Sequence, residues 1–249
     1  MPSILDTLPA LYRDLLPPFF RSPIPEETKA TCAACPMCAS GGADRVDPVD
    51  GVARTFRPDT KCCTYHPRLP NYLVGALLAD SDPALEEGRR RVRAKLASGV
   101  GVHPLWLKPP ARFTLLYGNG RQFFGRTESL RCPYYDVGGG GCTIWKFRES
   151  VCSTFYCRYV AGADGRRFWM SLKSFLALVE LQLSRYAVLQ LLPELVHEAK
   201  DKEEILSGPG GPLGADDLDE RPLPPKAHAA LWGEWSGREE ALYRAAFDA

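Results

Sequence analysis

The sequence lacks the features that mark membrane-spanning, nucleic-acid-binding and secreted proteins. No uncharged apolar run approaches the roughly 20 residues that a helix needs to cross a bilayer. The formal net charge is only +1 over 249 residues, which predicts no basic surface for nucleic acid or for an anionic membrane. The apolar first 20 residues carry Asp6, Arg13 and Asp14 and have no signal-peptide cleavage pattern. We therefore expect a mature cytoplasmic chain with neither nucleic acid nor a membrane as a partner.

Familiar catalytic motifs are also missing. The chain contains no G-x-S-x-G nucleophile elbow, no P-loop and no G-x-G-x-x-G dinucleotide loop. Of its four histidines, only His66, three residues after Cys63, is placed to bind a metal together with cysteine. A histidine in a surface loop is the commoner case. Whether the protein is an enzyme, and which protein partner or substrate it uses, are questions that the sequence leaves open.

Cysteine, in contrast, is abundant. The nine cysteines are Cys32, Cys35, Cys38, Cys62, Cys63, Cys132, Cys142, Cys152 and Cys157. An odd number cannot be paired completely in internal disulfides, and the cytoplasm keeps most thiols reduced. We therefore interpret these residues as metal ligands and treat all nine as candidates.

The first cysteine segment has the spacing of an iron–sulfur loop. Cys32, Cys35 and Cys38 are each separated by two residues, as in loops that hold three corners of a [4Fe-4S] cluster. Structural zinc sites more often take their thiolates in two separate pairs. The nearest fourth ligand is Cys62 or Cys63, and we expect only one of the two because neighbouring side chains point apart in extended backbone.

The second segment provides another possible set of four ligands. Cys132, Cys142, Cys152 and Cys157 are separated by nine, nine and four residues. The glycines of Gly138–Gly141 form a pliable turn that can bring Cys142 back toward Cys132. Two four-thiolate sites would leave one cysteine over. A mixed assignment, in which one site draws on both segments, stays open.

Basic side chains near the cysteines would offset thiolate charge and tune a cluster. These residues are Lys61, Arg131, Lys146, Arg148 and Arg158. A second basic run, Arg89–Arg91, is interpreted as a solvated helix face. In that helix Glu86 and Glu87 are spaced to pair with Arg90 and Arg91.

The stretch "RCPYYD…GCTIWKFRESVCSTFYC" resembles the YkgJ-type family of zinc- or iron-chelating cysteine-cluster proteins. The matching residues are Cys32, Cys35, Cys38, Cys132, Cys142, Ile144, Trp145, Arg148, Cys152 and Cys157. The resemblance covers roughly residues 31–65 and 130–158, about a third of the chain. Ala39 stands where the family has the second cysteine of a pair, and Ser153 stands where it has arginine.

The resemblance implies a metal cofactor. We expect a cysteine-ligated metalloprotein that binds one or two [4Fe-4S] clusters for redox or cluster-dependent chemistry. One alternative is a zinc-stapled interaction module without catalysis. The family is also similar in cysteine pattern to a flagellin lysine methylase held to use an iron–sulfur cluster, which implies a cluster-dependent protein lysine methylase as a further alternative. The sequence contains no recognisable nucleotide-binding loop for the methyl donor of such an enzyme.

The predicted fold is α+β, with irregular cysteine-rich metal-binding loops, a small β-hairpin and a helical C-terminal half. Residues 71–80 are interpreted as a short helix or a buried apolar segment, and apolar spacing and stop signals predict helices over 83–98 and 167–192. The last of these carries so many leucines that we expect it to be mostly buried. Two strands flanking Gly118-Asn119-Gly120 are predicted over 111–130.

The domain organisation follows from composition. Residues 1–207 form the predicted cysteine-cluster metal-binding domain with its long C-terminal helix. Residues 208–225 are rich in proline and glycine and are interpreted as a linker. Residues 226–249 are predicted to be one short docking helix. Its docking side chains would be Trp232, Trp235, Leu242, Tyr243 and Phe247.

Overall fold

The computed structural model describes residues 35, 37–38, 55–156, 159, 161–194 and 218–249. Within these ranges helices and two small antiparallel sheets occur together, which confirms the α+β class. The helices are α1 (Asn71–Ala79), α2 (Glu86–Ser98), α3 (Ala111–Asn119), α4 (Ser150–Ser153), α5 (Gly162–Leu191), α6 (Pro225–Trp232) and α7 (Glu239–Asp248). The 3-10 turns are Pro83–Leu85, Arg121–Phe123, Glu128–Leu130, Trp145–Phe147 and Gly233–Trp235. Over the described ranges, none of the helices combines the length and apolar character needed to cross a bilayer.

Both sheets are built from two-residue strands. The first contains β1 (Leu69–Pro70), β2 (Val102–His103) and β3 (Trp106–Leu107) in the order β1-β3-β2. The second is a hairpin of β4 (Tyr135–Asp136) and β5 (Gly141–Cys142). Strands this short supply few ladder hydrogen bonds, so the surrounding side chains must hold them in place.

The hydrophobic core packs the C-terminal helices α6 and α7 against α1 and the first sheet. Trp232, Leu242 and Tyr243 of the C-terminal helices are fully buried. The Tyr243 hydroxyl donates a 2.7 Å hydrogen bond to the carbonyl oxygen of His103 in β2. On the other side of the sheet, the buried Asn71 amide donates to the carbonyl oxygens of Pro104 and Ser184 at 3.1 and 3.0 Å. These buried polar contacts connect α1, the sheet, α5 and α7.

Of the two interpretations of residues 71–80, the helix is confirmed, at α1, and the helix predicted over 83–98 is confirmed at α2. Most side chains of α1 are buried, as its apolar sequence requires. The turn that precedes α2 begins with Pro83, and the Asp82 side chain accepts from the Ala84 amide at 2.9 Å. Gly99 ends α2 in the left-handed region with φ of 65°, where glycine avoids the steric cost of a Cβ atom.

The hairpin predicted over 111–130 is wrong: residues 111–119 form α3. Phe113 and Tyr117, four residues apart, stack at 5.9 Å, and their rings contact His66 and Tyr65. Packing of this aromatic face outweighs the local turn preference, and Gly120 has a φ of −112°, unlike a hairpin turn. In the described residues, consecutive strands pair as hairpins at β2–β3 and at β4–β5, and the second is closed by the predicted glycine turn.

The long helix predicted over 167–192 is confirmed as α5, but it is not mostly buried. Its packed side includes Phe168, Leu172 and Val188. Four large apolar side chains are exposed: Leu178, Leu183, Tyr186 and Leu189. The helix therefore has more apolar side chains than its one packed face can bury.

The C-terminal segment contains two helices, α6 and α7, in place of the single predicted helix. Gly233, at a φ of 52°, begins the turn between them. Trp232 is buried as predicted, whereas Phe247 is half exposed. Of the predicted linker, residues 218–224 are described, and Arg112 of α3 donates through its side chain to the Leu218 carbonyl at 2.7 Å. This part of the linker is thus in contact with the folded chain.

Gly75 allows α1 and α7 to pack closely because it has no Cβ atom. A Cβ atom at this position would overlap the carbonyl group of Tyr243. We expect Gly75→Ala to lower the free energy of unfolding by about 1–3 kcal/mol. In Gly118→Ala, the matched change in α3, the new methyl group meets open space, and stability should rise by about 0.5–1 kcal/mol. Denaturant unfolding of both variants tests this, and equal effects would contradict the packing argument.

His103 is predicted to make stability depend on pH. Burial lowers its pKa to about 4, and its Nδ1 accepts from the Leu105 amide, so the folded protein holds the ring neutral. Below pH 6.5 the His103 ring takes up a proton in the unfolded chain, whereas in the folded chain it stays neutral down to about pH 4. The free energy of unfolding therefore decreases as the pH is lowered. At pH 5 the expected loss from this group is about 2 kcal/mol relative to pH 7.5.

The variant His103→Asn keeps an acceptor near the Leu105 amide but cannot take up the proton. Denaturant midpoints of wild type and variant at pH 7.5 and pH 5 provide the measurement. The variant should lose less stability on acidification than the wild type. An identical loss in both proteins would show that His103 is not the titrating group.

Candidate metal centre

The described part of the first cysteine segment is a turn packed against residues 55–57. The Cys38 amide donates to the Cys35 carbonyl at 3.2 Å, and both cysteines are buried. Cys38 also forms an isolated parallel bridge with Phe56, and its Sγ lies 3.8 Å from the Arg57 carbonyl oxygen. Two of the three predicted loop thiols therefore lie side by side in one turn. Cys32 lies outside the described residues.

Cys62 and Cys63 lie in a tight turn that faces the second cysteine segment. The turn is closed by hydrogen bonds from the Lys61 amide to the Arg57 carbonyl and from the Cys63 amide to the Thr60 carbonyl, at 2.8 and 2.9 Å. The Cys63 carbonyl then accepts from the Cys132 amide at 2.7 Å. Cys63 is thus joined by its backbone to Cys132, across nearly seventy residues of sequence.

Three cysteines of the second segment come within electrostatic range of one another. Burial raises the pKa of Cys132 to about 12, and the charge of Cys142 would raise it further. Burial also raises the pKa of Cys152, with further contributions from Glu149, Cys132 and Cys142. Cys142 is brought there by the β4–β5 hairpin, where it lies opposite Tyr135. Cys157, the fourth predicted ligand, lies outside the described residues.

Cys63 and Cys142 both pack against the hydrophobic core cluster that contains Cys132. The segments that carry these three residues are therefore neighbours in the fold. Cys35 and Cys38 lie beside a different stretch of chain, around Phe56 and Arg57.

The buried carboxylate of Glu149 and the partly buried carboxylate of Glu180 position the helix that carries Cys152. The Glu149 side chain accepts from the amides of Val151 and Cys152 at 2.7 and 3.0 Å, and so caps the first turn of α4. Glu180 of α5 accepts from the Ser150 amide and hydroxyl at 2.6 and 2.8 Å. Burial raises the pKa of Glu180 to about 7. Sequence reasoning missed both residues, because no local motif connects Glu180 with residues thirty positions earlier.

Hydrogen bonds and a nearby guanidinium favour the thiolate form of Cys132. The backbone amides of Tyr134 and Tyr135 lower its pKa by hydrogen bonding, and the Arg91 charge lowers it as well. These effects oppose the larger effect of burial. Arg91 was interpreted from sequence as part of a solvated helix face. In the structure its guanidinium donates to the carbonyl oxygens of Pro133 and Tyr135, both at 2.7 Å.

The predicted basic residues differ in what they contact. Lys61 is buried, and its ammonium donates to the Gly140 carbonyl at 2.7 Å. Arg148 stacks on Trp145 at 3.4 Å and donates to the Cys152 carbonyl at 3.1 Å. Arg131 pairs with Glu128 and Lys146 pairs with Asp80. Two of these side chains therefore contact the backbone of the cysteine turns, while Arg158 lies outside the described residues.

The acidic partners of α2 also differ in part from the sequence prediction. Arg90 and Arg91 both bind Glu87, whereas Glu86 binds Arg89. The Arg89 side chain is buried, and its guanidinium also donates to the Asp80 and Asp82 carbonyls. The basic run is therefore only partly a solvated face.

No three His, Cys, Asp or Glu side chains are grouped so that they could hold a metal ion, within the ranges that the structure describes. Seven cysteines lie in those ranges, and none of them is in a disulfide: Cys35, Cys38, Cys62, Cys63, Cys132, Cys142 and Cys152. The chain matches no protein-family model, no curated protein and no solved structure. The arrangement thus brings Cys63, Cys132, Cys142 and Cys152 near one another from separate segments of the chain, with caps and amides that fix their backbone.

The reactivity of Cys132 should be suppressed in metal-free protein. With a pKa of about 12 only about one thiol in ten thousand is ionised at pH 8, and the side chain is buried. Alkylation by iodoacetamide, followed residue by residue with mass spectrometry, should be about a thousandfold slower at Cys132 than in the same protein unfolded in denaturant. Labelling of Cys132 at the rate of the unfolded chain would disprove the burial on which this prediction rests.

Proposed function

We propose that this protein is a cysteine-ligated metalloprotein that binds one or two [4Fe-4S] clusters. The observation that carries the proposal is that Cys132, Cys142 and Cys152, from the loop before β4, from β5 and from α4, lie within electrostatic range of one another, while the Cys63 carbonyl accepts a hydrogen bond from the Cys132 amide. Nine cysteines, with no disulfide among those described, suit such a role.

The electrostatics of these thiols also support the proposal. A buried thiolate without a counter-charge is costly, which is why the pKa of Cys132 and Cys152 is raised. A metal centre supplies the positive charge that ionises a coordinating thiol outright. The amides of Tyr134 and Tyr135 already direct hydrogen bonds toward the Cys132 sulfur. Such bonds tune the potential of an iron–sulfur cluster.

The sequence spacing of Cys32, Cys35 and Cys38 favours a cluster over a single zinc ion, because structural zinc sites more often take their thiolates in two separate pairs. When bound, the cluster would supply one-electron chemistry or cluster-dependent activation of a substrate.

Two ligand sets follow from the geometry and the sequence together. The first comprises Cys132, Cys142 and Cys152, completed by Cys157 or Cys63. The second would use Cys35 and Cys38, and the sequence adds Cys32 to them. Glu149, Glu180 and the basic residues around them would orient the cysteine turns without binding metal.

Anaerobic purification followed by iron, sulfide and zinc analysis tests the proposal. We expect a brown protein with iron and inorganic sulfide, and with broad visible absorbance that bleaches on reduction. Cys132→Ser should remove the iron and absorbance of one cluster and lower the melting temperature of the loaded protein, because metal–thiolate bonds stabilise the fold.

Two controls separate metal loss from misfolding. Ser129→Ala changes an exposed side chain three residues before Cys132 and should retain full iron content. In metal-free protein, Cys132→Ser and wild type should have similar circular dichroism spectra. A colourless protein that contains zinc and no iron would instead establish the zinc-stapled alternative. A protein that is free of both metals, with all nine thiols titratable, would refute metal binding.

A further inference from the structure

A cavity of about 380 Å³ lies between α2 and the loop that follows Cys132. Its volume is within the range of small-molecule sites, about 300–1,000 Å³. The lining residues that matter here are His66, Lys95, Pro110, Pro133, Tyr134 and Glu220. The cavity therefore combines apolar walls with a small number of polar side chains, as ligand sites commonly do.

His66 is a polar side chain of this cavity whose ring nitrogens have no hydrogen-bond partner among the described residues. It is only 6% exposed, and its ring lies against the edges of Phe113 and Tyr134. Neither ring nitrogen makes a hydrogen bond with any residue that the structure describes. Burial lowers the pKa of His66 to about 3, so its neutral ring keeps one N–H donor and one acceptor unused. The described atoms that are both fully buried and unpaired do not include these nitrogens, so they open onto the cavity, where a ligand or water can pair with them.

Lys95 provides a cation beside His66. The Lys95 charge contributes to lowering the His66 pKa, which requires the two groups to be near each other. The Lys95 side chain is partly buried, and its pKa falls to about 8 because of that burial. Glu220 lies close enough to oppose this effect on the pKa, but it forms no ion pair with Lys95. In the described chain, the Lys95 ammonium has no hydrogen-bond partner.

The other cations that line the cavity are already engaged. Arg90 and Arg91 both bind Glu87, and Arg91 also bonds to the carbonyls of Pro133 and Tyr135. Glu220 accepts from the Arg112 amide at 3.0 Å. The group that remains to attract a ligand of opposite charge is thus Lys95, next to the unpaired N–H of His66.

We propose that this cavity binds a small organic anion, whose carboxylate or phosphate group contacts the Lys95 ammonium and accepts a hydrogen bond from His66. The apolar part of the ligand would lie on Pro110 and Pro133. An anion would satisfy both groups at once, whereas a cation would be repelled by Lys95, and an uncharged ligand would leave Glu220, which forms no ion pair with Lys95, as the counter-charge of the ammonium. The proposal does not depend on a bound metal, because none of the cysteines that the structure describes lines the cavity.

Benzoate and phenyl phosphate are suitable probes, with benzamide as the uncharged control of the same shape. The chemical shifts of the His66 ring, assigned by comparison with His66→Gln, report binding at the site. We expect both anions to shift these signals with dissociation constants below about 10 mM, and benzamide to bind at least about tenfold more weakly. The tighter of the two anions identifies the preferred charged group.

Three substitutions make the test specific. Lys95→Met should weaken binding of both anions at least tenfold, whereas Lys226→Met, an exposed lysine outside the cavity, should have no effect. Ala94→Trp starts from an exposed position of α2 on the cavity wall and should block the site without disturbing the core. The proposal is wrong if neither anion shifts the His66 signals, if benzamide binds equally well, or if folded Lys95→Met retains wild-type affinity.

Discussion

A pair of hydrogen bonds to backbone carbonyls holds the two cysteine segments together, and the candidate metal centre depends on them. The Cys63 carbonyl accepts from the Cys132 amide, and the Gly140 carbonyl accepts from the Lys61 ammonium, both at 2.7 Å. The described residues of the two segments form no long strand or helix that would fix their position. Because Lys61 is buried, its bond to the glycine turn also satisfies a charge that would be costly to leave unpaired. The thiols on these short segments therefore stay near one another only while these two hydrogen bonds are intact.

The fold was predictable where a local pattern and the tertiary packing favour the same structure. The helices at α1, α2 and α5 have apolar spacing or caps that remain decisive in the folded chain. At α3 the two disagree, because the glycines around Asn119 favour a turn while Phe113 and Tyr117 pack against aromatic residues distant in sequence. The burial of α5 was overestimated for a related reason. Apolar side chains on a helix show where burial is possible, but neighbouring elements decide which of them are covered.

The candidate site was predictable in residue type and much less so in geometry. Cysteine count and spacing identified the thiols, and the glycine turn correctly predicted that Cys142 folds back toward Cys132. The contact between Cys63 and Cys132 spans nearly seventy residues, and no local pattern encodes it. The roles of Arg91 and Glu180 were likewise hidden, since each acts on a segment far away in the sequence. Long-range partners of this kind become visible only when the fold brings the segments together.

Pro133 and Tyr134 form a wall shared by the candidate metal centre and the anion cavity. Tyr134 lines the cavity, and its pKa is raised by burial and by the neighbouring Cys132 and Cys142 thiols. Tyr134 is the buried part of this wall, so charges on its two sides would be screened less than charges in bulk water. In a protein that holds the proposed cluster, the negative charge added on reduction would weaken the binding of an anion in the cavity. Since such coupling is reciprocal, the same anion would make the cluster harder to reduce, so one wall would link ligand occupancy to redox state.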